Sequence, residues 1–139
     1  MRAPDAEPKG AAPRETLTWD DRLHHRRQFE AVYSRGVRIA GRSFTLFILP
    51  NDCGRSRLGV TVSRKVGNAV VRNQARRRLR EIFRRQRAAL GPGSDVVIHA
   101  RPEAARRPLA ALSEEFLAGM ARFRGARGET REDTLGEKR

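Results

Sequence analysis

Between Arg72 and Arg87 the sequence sets eight arginines against one acid, Glu81, a local net charge of +7 in sixteen residues. The segment around it, Asn68 to Leu90, has a helical period. Val71, Ala75, Leu79, Ile82, Phe83, Ala89 and Leu90 fall within an arc of about 120° on a 3.6-residue wheel. Any fold for this chain must bury that stripe while leaving the arginines outside the core. Arg76, Arg80, Arg84 and Arg87, with Asn73 and Arg77 beside them, lie opposite the stripe; Arg72 sits on its boundary, and Arg78 and Arg85 lie on the other flank. The i, i+4 spacing of 72, 76, 80 and 84 repeats roughly every 6 Å along the axis, close to the spacing of phosphates along a strand. Like charges at that spacing destabilise an isolated helix by a few tenths of a kcal/mol per pair. A solvated face normally interleaves acids with bases, and only Glu81 does so here. Contact with a nucleic acid is therefore favoured over a plain solvated face. A basic helix lying on an anionic membrane is disfavoured, because its apolar stripe lacks Trp and is needed to cover a core.

The charge of the whole chain supports this localisation. Its 139 residues carry 30 Lys+Arg and 16 Asp+Glu, a net +14, of which +11 lies in residues 55–87 once Arg55, Arg57, Arg64 and Lys65 are added. Only Lys9, Lys65 and Lys138 are lysines. Arginine pairs bidentately with phosphate and stacks on bases, although a general codon bias toward Arg explains the ratio equally well. The length fits one domain with tails. Cys53 is the only cysteine, which excludes an internal disulfide and a cysteine-based zinc finger. The longest apolar run, residues 44–49, is far short of the roughly 20 residues of a membrane span. The start, MRAPDAEPKG, has no signal-like apolar stretch, so a cytoplasmic setting is expected.

Residues 1–16 and 124–139 have no apolar period and are expected to be disordered tails around a folded domain at 17–123. Within it, Phe29, Val32 and Tyr33 predict a short helix over 26–34, stopped by Gly36. An edge segment at 37–40 and a strand at 44–49 follow. A loop over 50–56 leads to an alternating strand at 58–63, and those two strands are expected to form an antiparallel hairpin. After the basic helix, stopped by Gly91-Pro92-Gly93, the continuous apolar run 95–100 reads as a strand buried on both faces. Leu109, Leu112, Phe116, Met120 and Phe123 mark one face of a last helix. The expected fold class is a single-domain α+β sandwich in the order α-β-β-β-α-β-α.

No protein-borne catalytic site emerges. His24 and His25 are adjacent and point apart on a helix, so they do not share a metal in the i, i+4 manner. His99 reads as a core residue, Asp20 and Asp21 as a helix start, and residues 65–68 as a turn rather than a phosphate loop. Neither a metal site nor catalytic residues are expected in the protein, and no small-molecule substrate. Phe29 and Tyr33, one helical turn apart, and Phe47, on the opposite strand face from Phe44, Leu46 and Ile48, are either core residues or a stacking surface for single-stranded nucleic acid. Such stacking contributes about 1–3 kcal/mol per base.

The run 63–81, SRKVGNAVVRNQARRRLRE, resembles the signature of the bacterial ribonuclease P protein component. RRQFEAVYSRG (26–36), SFTLFILPN (43–51), RLGVTVS (57–63) and DVVIHARPEAA (95–105) agree with it in order and spacing. The resemblance covers residues 22–123. It implies that the strands before and after the basic helix pair in parallel through a left-handed crossover, against the usual rule. It also implies two partners, a catalytic RNA subunit and precursor tRNA, and removal of the tRNA 5′ leader. The chemistry would belong to the RNA and its bound Mg²⁺, with none bound by the protein alone. Arg72, Asn73, Arg76, Arg77 and Arg80 match the RNA-contacting helix motif, with Arg64, Lys65 and Asn68 on its approach. Phe29, Tyr33 and Phe47 match the leader-binding cleft. The family's usual Arg-Asn-Arg is here Arg72-Asn73-Gln74, which removes one charge. A structural basic protein and a protein-only metallonuclease are the rival classes.

Overall fold

The computed structural model describes residue 17, residues 19–90 and residues 93–129; the rest of the expected tails lies outside the described residues. Helix α1 spans Arg26–Arg35. At its start Gln28 Oε1 accepts the backbone N–H groups of His24 and His25 at 2.7 and 2.9 Å, satisfying donors where the chain enters the helix. Strands β1 (Val37–Ala40), β2 (Phe44–Pro50) and β3 (Arg57–Val62) follow, then helix α2 (Ala69–Gln86) and strand β4 (Ser94–Ala100). Helices α3 (Glu103–Arg106) and α4 (Leu109–Glu129) complete the fold.

The sheet order is β1-β2-β4-β3. β2 and β3 do not form the expected hairpin. β4 lies between them, antiparallel to β2 and parallel to β3, with Leu46 opposite Ile98 and Ile98 opposite Val60. The physical reason lies in β4 itself. It is apolar on both faces and buried everywhere except at His99, so it takes the central position where both faces are covered. β3 and β4 are thus parallel neighbours joined through α2.

Strand alternation divides the core. Leu46, Ile48, Leu58, Val96 and Ile98 face one way, packing on Ala75, Leu79, Ile82 and Phe83 of α2 and on Leu112, Phe116 and Met120 of α4. Val97 faces the other way with Leu23 and Val32, where Phe29, Phe47 and Leu49 close a smaller cluster under α1. Two glycines are required by this arrangement. Gly59 lies directly under the Phe29 ring, where any Cβ would collide with it. Gly67, at φ 153° and ψ −165°, turns the chain into α2 through backbone space that side chains rarely enter.

Helix α2 begins where Asn68 Oδ1 accepts the Val71 N–H at 3.0 Å. It ends at Gln86 rather than Leu90, and residues Arg87–Leu90 tighten into a 3-10 turn, as helix ends often do. Two helices follow β4 where the apolar spacing predicted one. Pro102 and Pro108 bracket the short α3, and its buried Ala104 packs against the main core. α4 runs on to Glu129, past the expected boundary at Phe123.

Candidate nucleic-acid interface

The arginines of α2 separate into two groups by what they touch. Arg78 donates to the backbone oxygens of Ala104 and Arg107 at 3.0 and 2.7 Å, so it ties the end of α3 to α2 and is structural. Arg84 and Arg85 both hold Glu81, at 2.5 and 2.6 Å. Those hydrogen bonds, Arg84's first, hold the Glu81 carboxyl below its ordinary range. Arg87 pairs with Asp21 at 3.1 Å and lies over the Phe83 ring. Arg76 donates to Asn73 Oδ1 at 2.9 Å, a contact between two outward residues one turn apart. The side chains of Arg72, Arg77 and Arg80 make no hydrogen bond or ion pair with the described residues. Burial first, and then the charges of Arg22 and Arg76, push the Arg80 guanidinium below its usual value. This row of cations has few acceptors among the described residues.

On the approach, Arg64 and Lys65 are exposed on the 3-10 turn Arg64–Val66. Asn68 is the helix cap just described, so its Oδ1 already has a structural partner. Gln74 is exposed on α2. Asn73, Arg76, Arg77 and Arg80 line one concavity, Arg64 and Lys65 stand on the turn that leads into the helix, and Asn68 serves the helix start.

The aromatic residues meet on the opposite side of the sheet. Tyr33 and Phe47 make an edge-to-face pair, centroids 4.8 Å apart and planes at 85°. Tyr33 is 41% exposed, whereas Phe29 and Phe47 are half-buried against Val32 and Val97. The floor beside them follows from strand register. Arg38 lies opposite Phe47, and Thr45, His99 and Thr61 form the next row across three strands. Thr61 Oγ1 and His99 Nδ1 are 2.8 Å apart. None of these four polar residues was legible as part of a site. The period-2 signal that puts Arg38 and Phe47 on one face exists, but it acts only once the strand pairing is known.

A mixed four-stranded sheet, with a basic helix packed on one face and an aromatic pair on the other, defines a small α+β protein with a strongly cationic helix. The Ribonuclease P family model matches residues 17–124. A ribonuclease P protein component from Desulfovibrio desulfuricans is 41% identical over 106 residues, covering 73% of this chain and 82% of that protein. One from Exiguobacterium sibiricum is 42% identical over 86 residues, 61% of this chain and 74% of that protein. Among solved structures, the RNase P protein from Thermotoga maritima superposes with a TM-score of 0.65 at 32% identity, over 73% of this chain and 96% of that one. The Staphylococcus aureus RNase P protein gives 0.65 at 27% identity, over 74% and 96%. The chain belongs to the ribonuclease P protein component family.

Proposed function

We propose that this chain is the protein subunit of ribonuclease P, binding the catalytic RNA through α2 and the single-stranded 5′ leader of precursor tRNA through the aromatic cleft. The observation that carries this is the separation of the two surfaces by the sheet. Outward Arg72, Arg76, Arg77 and Arg80 stand on one side, and Tyr33 and Phe47 on the other. A polyphosphate backbone fits the first surface by charge, and unstacked bases fit the second by stacking and by hydrogen bonds to Thr61 and His99. With one RNA on each side, the protein adds leader contacts that mature tRNA cannot make, which favours precursor binding.

Cleavage is assigned to the RNA and its Mg²⁺. Asp21, Glu81, Asp95 and Glu115 are each held by arginine, and no group of three or more His, Cys, Asp or Glu comes together among the described residues. Among the described residues no helix is long and apolar enough to cross a membrane. The cytoplasm, where tRNA is processed, is the proposed setting. Reconstitution tests the assignment: the protein, its cognate RNA and precursor tRNA are mixed at limiting Mg²⁺, and 5′ cleavage is followed. Strong stimulation over RNA alone is expected. No stimulation would favour a purely structural basic protein, and cleavage without the RNA would favour a protein metallonuclease.

A further inference from the structure

The segment before α1 is pinned along the edge of β3, and a pocket of about 510 Å³ opens between it and α2. Leu17, Arg22, Asn73, Arg76, Arg77, Arg80, Glu81 and Arg84 line it. Arg22 is the new element, since the charge run that marks α2 does not extend to it. Its Nε is buried and has no hydrogen-bond partner among the described residues. The one carboxylate in the wall, Glu81, is already bonded to Arg84 and Arg85. Three guanidinium groups, those of Arg22, Arg76 and Arg80, therefore line one pocket with no unpaired acid among the described residues; burial first, and then the charges of Arg22 and Arg76, lower the Arg80 pKa.

Arg22 is also held firmly. It forms a parallel bridge with Leu58, and the next residue, Leu23, donates its N–H to Leu58 O at 2.9 Å. On its other side the Asp21 carboxylate, 1% exposed, lies 3.1 Å from Arg87 Nη2 and 3.5 Å from Arg55 Nη1. A buried acid paired to two arginines fixes the backbone on which Arg22 is carried. Holding like charges together around an empty concavity is unfavourable unless an anion enters, and a tetrahedral oxyanion suits several converging guanidinium forks.

We propose that this pocket grips a single phosphate of the RNA backbone, with Arg22 joining Arg76 and Arg80 as its ligands; this rests on the RNA-binding role of α2 stated above. The residues that close the pocket come from both ends of the described fold's first half, so the basic surface is a built cavity rather than one flat helix face.

The test uses the full-length protein and two probes. Inorganic phosphate, titrated at constant ionic strength against a sodium chloride control, should raise the melting temperature saturably in the native protein and not in Arg22→Gln. With the cognate catalytic RNA, Arg22→Gln should reduce the slope of log K against log salt by about one unit. Arg22→Lys, which keeps the charge, should recover most of that slope, separating loss of a ligand from misfolding. Arg22→Gln combined with Arg80→Gln should lose less affinity than the sum of the single changes, because both hold the same phosphate. An unchanged slope in Arg22→Gln, while Arg72→Ala loses about a unit, would overturn the pocket and leave the RNA-binding role intact. Unchanged slopes in both variants would overturn both. A phosphate response lost in Arg22→Gln with an unchanged RNA slope would show a site for free phosphate and overturn the backbone assignment.

Discussion

Tyr33 and Phe29 sit one turn apart on α1, yet the structure gives them different duties. Phe29 is wedged over Gly59 and belongs to the small cluster with Val32 and Val97. Tyr33 stands outside it, 41% exposed, with Phe47 at its edge. Gly59→Ala should therefore displace the Phe29 ring and destabilise the domain by about 1–3 kcal/mol, measurable by urea unfolding. Glu81 makes a second prediction at this scale. Its folded pKa is depressed, so its contribution to stability is complete above the ordinary carboxylate range and is lost as pH falls through the lowered value. Glu81→Gln should flatten the acid limb of the stability profile. At neutral pH the same change should tighten RNA binding modestly, because it removes the only acid among the helix's arginines.

Among the elements, α2 was the most legible and the pairing of β2 with β3 the most misleading. The apolar arc identified α2 and its buried face, and Ala75, Leu79, Ile82 and Phe83 are indeed core, although Ala89 and Leu90 of that arc lie past the helix end. Strand existence was legible too, from alternation and from apolar runs. Strand pairing was not: chain order suggested that β2 meets β3, and only the two-faced burial of β4 explains why it comes between them. The roles of individual arginines were also hidden, because a wheel shows direction but not partners. Arg78 and Arg72 provide the contrast. Arg78→Ala leaves the carbonyls of Ala104 and Arg107 without their donor and should cost about 1–3 kcal/mol of stability with an unchanged RNA salt slope. Arg72→Ala should do the reverse, lowering the slope by about one unit with little change in unfolding.

For the whole molecule, the sheet separates the basic helix from the aromatic pair, the two surfaces proposed to make different RNA contacts. The concentration of charge in residues 55–87 and the three aromatic positions pointed to both surfaces in the sequence. Their placement on opposite sides depends on strand alternation around β4, with Val96 and Ile98 turned toward α2 and Val97 toward α1. Arg22 and the polar row Thr45, His99 and Thr61 depend on the same long-range register, which no local pattern encodes. The most direct measurement compares the affinities of the reconstituted complex for precursor and mature tRNA, alongside the affinity of the protein for its catalytic RNA, in Tyr33→Ala and Arg72→Ala. This separation predicts that Tyr33→Ala narrows the precursor preference while RNA-subunit affinity holds, and that Arg72→Ala weakens RNA-subunit affinity while the preference holds. Equal losses of both quantities in both variants would contradict it.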